Sequence, residues 1–308
     1  MMSATPEPTL ACPVCDSPLA GKPDIVGGDR QHGVAGVHSV FSCTRCELGV
    51  TLPLATEAEL GAFYPHTYVP HRRTGSLILK VAMLPAMWQR HRAVPWNRLR
   101  RVTPGNLLDV GCGRGDLASH FVRQGWRVTG TDISPEACAE ASARGVETHL
   151  GTLSTVTLPE GNFDAITFRH VLEHVVDPVA DLRRAQAALR PGGQILITLP
   201  NYACRQRRLF RSFWFPLELP RHRHHFSPRS LTEALTQAGF AQVRTTSNTS
   251  ALGLPASIQY RLFGHCVCES GWKLLAGYVA SVALYPVSRL FDTATGAGDF
   301  LHAWAVKP

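Results

Sequence analysis

Three glycines at alternate positions, Gly111, Gly113 and Gly115, follow the short apolar run Leu107–Val110. An apolar run of this length is typical of a buried strand, and glycines let a ligand approach the bare backbone of a tight turn. The residues from 117 to 124 predict a helix, whose first N–H groups would face that ligand. The segment therefore predicts a strand, a glycine loop and a helix that hold a nucleotide-like molecule.

An acidic residue, Asp132, ends the second expected strand, which starts at Arg127, and lies roughly 20 residues after the glycines. At this spacing a carboxylate can accept hydrogen bonds from ribose hydroxyls. The alternative is that Asp132 only caps the helix expected after Ser134. Because no Lys–Ser/Thr pair follows the glycines, the loop is not expected to bind a triphosphate.

Four segments in this order resemble class I S-adenosylmethionine-dependent methyltransferases, namely 107–115, 128–134, 163–178 and 189–201. The resemblance covers about residues 100–250. It implies an α/β fold: a Rossmann-like, doubly wound, mainly parallel sheet of seven strands, the last of them antiparallel. It also implies that the chain is an enzyme that binds S-adenosyl-L-methionine.

The same resemblance implies a set of cofactor-binding residues, namely Asp109, Gly111, Gly113, Gly115, Asp132, Ile133, Thr152, Leu153 and His170. The glycines would pass under the methionine part, which Asp109 helps to place. Asp132 would hold the ribose and Ile133 would lie against the adenine. His170 would line the donor site, whereas Glu173 and His174 are expected to be structural.

Three histidines, His222, His224 and His225, precede the helix expected from Pro228. The resemblance places His222 and His225 over the acceptor, and the pKa of histidine near neutrality suits proton transfer. We therefore expect these two residues to be the catalytic general bases of an O-methylation. A metal site formed by the three histidines, and plain surface histidines ahead of a helix cap, remain open as alternatives.

Two C-x-x-C pairs, Cys12 with Cys15 and Cys43 with Cys46, precede the glycine loop. Two such pairs can supply the four thiolates of a tetrahedral, structural Zn²⁺ site. A redox C-x-x-C is the alternative, which the duplication of the pair disfavours. The other five cysteines are interpreted as ordinary thiols.

The predicted domain organisation is a zinc-ribbon-like segment at 1–53, a helical lid or linker at 54–102, and the methyltransferase domain at 103–308. A helical insertion is expected at about 247–298. Strands are expected at 107–110, 127–131, 147–150, 165–168, 194–198, 242–246 and 302–306. Helices are expected at 115–124, 135–144, 178–189 and 228–238.

Two apolar segments raise the question of membrane contact. Residues 76–101 combine an apolar helix with adjoining arginines, which fits either packing on the domain or a membrane interface. Residues 272–286 approach the length of a membrane span, but polar and proline positions favour a buried or interface-lying helix. Near the acceptor, aromatic residues at 64, 68, 214 and 215 and arginines at 205, 207, 208 and 211 fit either binding or ordinary packing and solvation.

The chain of 308 residues has a net charge of +8, with 44% hydrophobic and 18% charged residues, as expected for a globular protein with anionic neighbours. Cysteine use and an apparent lack of a secretory segment predict a cytoplasmic protein, with peripheral contact at the inner membrane face left open. The expected function is methylation of a small-molecule acceptor: a sugar, a quinone-type ring or a lipid-linked intermediate. A zinc-ribbon RNA methyltransferase, with nucleic acid as the less favoured partner, and a non-catalytic cofactor-binding module are the alternatives. The sequence does not indicate an oligomeric state.

Overall fold

The computed structural model describes residues 10–54, 95–267 and 271–308. The strands are β1 (Ile25–Gly27), β2 (His38–Ser42), β3 (Gly49–Leu52), β4 (Asn106–Val110), β5 (Arg127–Asp132), β6 (Glu147–Leu150), β7 (Phe163–Arg169), β8 (Leu189–Pro200), β9 (His224–His225), β10 (Ala241–Asn248) and β11 (Phe300–Val306). The helices are α1 (Ala118–Val122), α2 (Pro135–Ser142), α3 (Pro178–Ala188), α4 (Arg205–Phe210), α5 (Pro228–Gln237), α6 (Gly253–Phe263) and α7 (Gly271–Thr295).

The larger sheet has seven strands in the order β10-β11-β8-β7-β4-β5-β6. Strand β11 runs antiparallel to β8 and β10, whereas β4 to β8 pair in parallel. Leu108 and Ile166 in the central strands have no exposed surface, which is what their continuous apolar runs predict. The Rossmann-like sheet expected from the sequence, with an antiparallel last strand, is confirmed.

The carboxyl ends of the central strands meet at one edge of this sheet. Val110 of β4 pairs with Thr131 of β5 on one side and with Phe168 of β7 on the other. The glycine loop and His170 directly follow two of these strands, and Asp132 is the last residue of the third. The fold thus brings together three short segments that are far apart in the sequence.

The helices that flank the sheet begin where polar caps precede a proline. Ser134, Asp177 and Ser227 are the N-cap residues of α2, α3 and α5, and each side chain accepts a hydrogen bond from a backbone N–H of the first turn. In all three helices, proline occupies the first helical position, where its missing N–H costs nothing. These helices therefore match the sequence prediction to within two residues.

The smaller sheet joins the N-terminal segment to the rest of the chain. Its strand order is β1-β2-β3-β9. Strand β9 is part of residues 221–225, which we call the histidine segment. Gly49 pairs with His225 and Val50 with His224, both antiparallel. The sequence did not predict this fourth strand, because a two-residue strand has no periodicity to detect.

The insertion between β10 and β11 contains the two helices α6 and α7, which pack against each other. Helix α7 continues through Pro286 to Thr295, beyond the expected end near residue 286. Among the described residues, no helix has both the length and the apolarity needed to cross a bilayer. The aromatic positions Tyr64 and Tyr68 and the apolar residues 76–88 lie outside the described residues.

Candidate active site

The glycine loop after β4 has backbone conformations that favour glycine. The φ angles of Gly111, Gly113 and Gly115 are +64°, +54° and +76°. A Cβ at Gly111 would overlap Val171, and one at Gly115 would lie 3.0 Å from Ala141. A Cβ at Gly113 would meet no atom within 4 Å. Two of the glycines therefore permit close packing, while Gly113 borders open space that a ligand could fill.

The carboxylate of Asp132 connects the tip of β5 to the glycine loop. Its Oδ2 accepts a hydrogen bond from the N–H of Gly113 at 2.8 Å, and its Oδ1 accepts one from the N–H of Ser134 at 3.0 Å. The side chain that caps α2 is Ser134, whose Oγ accepts from the N–H of Ala137. Asp132 therefore has a position and a bonding role that helix capping alone does not explain.

The residues beside Asp132 differ in exposure. The side chain of Ile133 is 58% exposed, which is unusual for isoleucine and fits an apolar surface offered to a ring. The N–H of Gly151 donates to the carbonyl of Asp132 at 2.8 Å, so the loop after β6 lies against the tip of β5. Thr152 is partly exposed there, whereas Leu153 is buried and belongs to the hydrophobic core.

Asp109 is a buried acid within the central strand β4. Thr167 of β7 donates its hydroxyl hydrogen to Asp109 Oδ1 at 2.6 Å. Burial raises the pKa of the Asp109 carboxyl, and the positive charge of Arg169 opposes that shift. No sequence pattern points to Thr167, because only the parallel register of β4 and β7 places it beside Asp109.

His170 directly follows β7 and faces the same edge of the sheet as the glycine loop. Its φ angle of +56° lies in the left-handed region, which is uncommon for a residue with a side chain. Its Nδ1 lies 3.3 Å from Oε1 of Glu173, and its ring centroid is 5.0 Å from that of Phe300. The side chain is 27% exposed, whereas that of Glu173 is only 2% exposed. A buried carboxylate therefore orients an accessible imidazole beside the glycine loop.

Glu173, His174 and His222 form a compact cluster behind His170, in which Glu173 and His222 are buried and His174 is partly exposed. Their potential ligand atoms all lie within 4.8 Å of one another, which is a spacing that could hold a metal ion. His174 donates from Nδ1 to the carbonyl of Arg221, and His222 donates from Nδ1 to the carbonyl of Pro216, each at 2.9 Å. Burial lowers the pKa of both imidazoles to about 4, so both are neutral at pH 7.

His224 and His225 lie in the seam between the two sheets. Nε2 of His225 is 2.9 Å from the Thr51 hydroxyl, and its ring centroid is 5.2 Å from that of Tyr202. Burial lowers the pKa of His224 to about 3 and that of His225 well below its usual value. The structure therefore does not group the three histidines expected as a metal alternative, and none of them is a surface residue.

A buried ion pair anchors this histidine segment to the N-terminal segment. Arg221 donates from both terminal nitrogens to the two oxygens of Asp29, at 2.8 and 2.9 Å, and neither side chain is exposed. Asp29 also accepts hydrogen bonds from the N–H groups of Gln31 and His32. These bonds oppose the cost of burial and leave the pKa of Asp29 below its usual value. No sequence pattern predicts this pair, which joins residues 192 positions apart.

The four N-terminal cysteines converge as their spacing predicted. Their Sγ atoms lie within 4.8 Å of one another, all four residues are buried, and none forms a disulfide. Cys12 and Cys46 are 3.5 Å apart and Cys15 and Cys43 are 3.4 Å apart, measured between sulfurs. The N–H of Cys46 points to the sulfur of Cys43 at 3.5 Å. This donor set fits a tetrahedral thiolate site.

The arginines and aromatics of the α4 region have mixed environments. Arg207 pairs with Asp24 at 2.8 Å and lies over the Tyr202 ring, whereas Arg205 and Arg208 are exposed. Trp214 is buried in a small core and Phe215 packs against Tyr260. The aromatic pair therefore serves packing, and Arg207 is engaged in an ion pair.

Comparisons with known proteins agree with this architecture. A family model described as a methyltransferase domain matches residues 88–245, just over half of the 308 residues. The ubiquinone biosynthesis O-methyltransferase of Xanthomonas oryzae pv. oryzae is 34% identical over 129 residues, which are 39% of this chain and 54% of that protein. Its counterpart from Xanthomonas axonopodis pv. citri is 32% identical over 146 residues, 43% of this chain and 61% of that protein. The chain thus spans about half the length of these curated relatives.

Solved structures share the fold at low sequence identity. Phosphoethanolamine N-methyltransferase 2 of Haemonchus contortus, in complex with S-adenosyl-L-methionine, superposes with a TM-score of 0.55 and 17% identity, over 84% of this chain and 62% of that one. A second complex of this enzyme, with phosphomonomethylethanolamine and S-adenosylhomocysteine, gives 0.53 and 19%, over 80% and 60%.

Proposed function

Because this chain belongs to the family of S-adenosylmethionine-dependent methyltransferases, we propose that it transfers the donor's methyl group to a hydroxyl of a small-molecule acceptor. The acceptor classes that we favour are a sugar, a quinone-type ring and a lipid-linked intermediate. The observation that supports the proposal is the contact between the glycine loop, which we also call the donor loop, and the turn of residues 170–174 that follows β7. Val171 occupies the space that a side chain at Gly111 would need, so His170 and Glu173 lie directly beside the glycine loop.

On this proposal the donor is held by groups already aligned at the carboxyl edge of the sheet. Gly113 leaves room for the ligand, and Asp132 would exchange its bond to the Gly113 N–H for ribose hydroxyls. Thr167 keeps the Asp109 carboxyl oriented where the methionine ammonium would lie. Ile133 would cover the adenine with its exposed side chain. Holding donor and acceptor in line supplies much of the rate of such a displacement.

S-adenosylmethionine, when bound, supplies an electrophilic methyl group. The protein must supply proton removal from the acceptor hydroxyl, which typically contributes 10²–10⁴-fold to the rate. We assign this role to His170, whose Nδ1–H would donate to Glu173 while its Nε2 takes the proton. Glu173 would then stabilise the imidazolium that forms.

The assignment of His222 and His225 as general bases remains a prediction. Both residues are at least nine-tenths buried, and both already contact protein groups, the Pro216 carbonyl and the Thr51 hydroxyl respectively. Their low pKa values keep them neutral but make them weak bases, and their burial favours a positioning role. His222 would act through Glu173, whose pKa burial raises above its usual value.

A labelling experiment tests the reaction. Purified protein, methyl-labelled donor and extracted metabolites should give one labelled small molecule whose added methyl group is ether-linked. Labelled RNA would instead support the RNA methyltransferase alternative. Donor binding without any labelled product would support a non-catalytic cofactor-binding module. Either of these results would overturn the proposal.

Histidine variants test which group removes the proton. We expect His170→Ala to lower kcat by about 10²-fold or more while the Kd for S-adenosylhomocysteine changes by less than about threefold. His222→Ala should lower kcat less than His170→Ala does. It should also flatten the pH dependence of kcat through its effect on Glu173. Turnover of His170→Ala within threefold of wild type, together with a large loss in His222→Ala or His225→Ala, would restore the original assignment.

We also propose that Cys12, Cys15, Cys43 and Cys46 hold one structural Zn²⁺, because four converging thiolates leave no open position for chemistry. Strand β3 pairs with β9 of the histidine segment, which supports a structural role over RNA capture. Elemental analysis should find one zinc per chain, lost in Cys43→Ser and retained in Cys266→Ser, whose sulfur lies outside the cluster. Equal zinc in both variants would contradict this assignment.

A further inference from the structure

Helix α7 presents an apolar face to solvent. The exposed positions along this face recur every three or four residues and are Ala276, Val279, Ala283, Pro286, Val287 and Leu290. The side chains of Val279, Val287 and Leu290 are 57%, 54% and 71% exposed. A helix packed on a domain in water normally turns such a stripe inward, so this face is the reverse of the expected arrangement.

On the opposite side of α7, the described side chains that are buried are polar. Ser281, Ser288 and Asp292 are each at most 2% exposed. The two serine hydroxyls donate to carbonyls one turn earlier, Ser281 to Gly277 at 2.8 Å and Ser288 to Leu284 at 3.1 Å. Gln206 of α4 donates to both oxygens of Asp292, at 2.9 and 3.1 Å. The serine bonds are internal to the helix, whereas the bonds between Gln206 and Asp292 fix its orientation, and turning the apolar face inward would break them.

The neighbouring segments add exposed apolar surface. Leu262 and Phe263 at the end of α6 are 70% and 57% exposed, and α6 packs against both α7 and α4. Leu209 of α4 is 63% exposed. Large exposed apolar side chains concentrated on three contacting helices indicate an interaction surface rather than the scattered exposure common in water-soluble proteins.

The charges of these helices point to an anionic partner. In the described residues of the insertion, 247–267 and 271–298, the one acidic side chain is Asp292, which is buried. Arg261, Lys273 and Arg289 are exposed there. Apolar side chains that enter the acyl boundary, with cations beside them for the phosphate headgroups, are the pattern of a helix that lies in a membrane interface.

From this juxtaposition we propose that α7 lies flat on an anionic lipid membrane, with its outward apolar face in the lipid. Its polar side stays bonded to the protein, so the helix lies on the bilayer rather than across it. The insertion joins the end of β10 to the start of β11, and both points lie at the edge of the sheet that carries the glycine loop. Phe300, the first residue of β11, contacts His170. Where the proposed methyl transfer holds, this geometry favours a lipid-borne acceptor delivered from the membrane.

Vesicle sedimentation tests the proposal with the full chain. Wild type should partition at least about tenfold more strongly to vesicles of phosphatidylcholine with phosphatidylglycerol than to phosphatidylcholine alone, and 1 M salt should weaken this preference. The triple variant Val279→Gln, Val287→Gln, Leu290→Gln should lose at least about tenfold of the partitioning to anionic vesicles. Its affinity for S-adenosylhomocysteine should stay unchanged, because none of the three residues is in the donor site.

A matched control separates position from general hydrophobicity. Val26, Val37 and Val102 are 51%, 71% and 40% exposed but lie outside the insertion, and their replacement by glutamine should leave vesicle binding unchanged. No sedimentation of wild type, or equal loss in both triple variants, would overturn the proposal. A concentration-dependent dimer that the α7 variant abolishes, without vesicle binding, would overturn it in favour of a second copy of the chain. These outcomes are read from lipid binding and therefore do not depend on the assigned catalytic reaction.

Discussion

The donor loop and the histidine segment lie at the same edge of the sheet but are built in different ways. The donor loop relies on neighbouring strands of the larger sheet, as in the bond between Asp132 and the N–H of Gly113 and that between Thr167 and Asp109. The histidine segment relies on distant residues, since Thr51 contacts His225 and Asp29 pairs with Arg221. Donor binding is thus encoded within the methyltransferase domain, whereas the shape of the acceptor side depends on the N-terminal segment and the metal that it is proposed to hold.

The largest expected effect comes from breaking the buried ion pair. Asp29→Ala should lower the free energy of unfolding by about 3–5 kcal/mol, because it leaves the Arg221 charge buried without its partner. Arg229→Ala removes the exposed pair with Glu47, whose side chains are 60% and 53% exposed, and should cost at most about 1 kcal/mol. Urea titration measures both values. Equal losses would show that the ion pair does not anchor the histidine segment.

Acid should destabilise the region around His174 and His222 more than the donor loop. His174 and His222 have pKa values near 4 in the folded protein and 6.5 when exposed. Below pH 6.5 the two rings bind protons in the unfolded chain but not in the folded protein. The free energy of unfolding therefore falls as the pH drops towards 4. Each ring should contribute about 2 kcal/mol of loss between pH 7 and pH 5. Denaturation at both pH values should show a smaller loss in His222→Gln, and an unchanged loss would contradict this cause.

Two glycines of the donor loop should respond differently to alanine. Both Gly111→Ala and Gly113→Ala place a side chain at positive φ, at a cost of about 1–2 kcal/mol. Gly111→Ala also overlaps Val171, which should add about 1–3 kcal/mol. Gly113→Ala should instead weaken donor binding, because its methyl group enters the open space. Thermal unfolding and calorimetry separate the two effects, and identical behaviour would refute the distinction.

The smallest expected effect is at Thr167. Thr167→Val removes the hydroxyl that orients Asp109 and should weaken binding of S-adenosylhomocysteine by about two- to tenfold, as the loss of one hydrogen bond implies. Thr129→Val is the control, because Thr129 lies in β5, on the other side of β4. It should leave the affinity unchanged. If both variants bind equally, Asp109 is not positioned through Thr167.

The sequence was sufficient for the parts that depend on local pattern. The apolar run ending at Val110 and the segment from Arg127 to Asp132 predicted two central strands, and the spacing of the glycines predicted the loop after the first of them. The contacts that shape the acceptor side could not be predicted in this way. No periodicity marks β9 or the pairing of Asp29 with Arg221, and the polar inner face of α7 depends on Gln206 of another helix.

Calorimetric titration with S-adenosylhomocysteine tests whether the glycine loop and Asp132 form the donor site. Asp116 is the matched control, since it is an acid after the same loop whose side chain pairs with Arg144 and is 75% exposed. We predict binding by wild type, weaker binding by about 10- to 100-fold in Asp132→Ala, and near wild-type affinity in Asp116→Ala. No heat with folded wild-type protein, or equal affinity in both variants, would contradict the account.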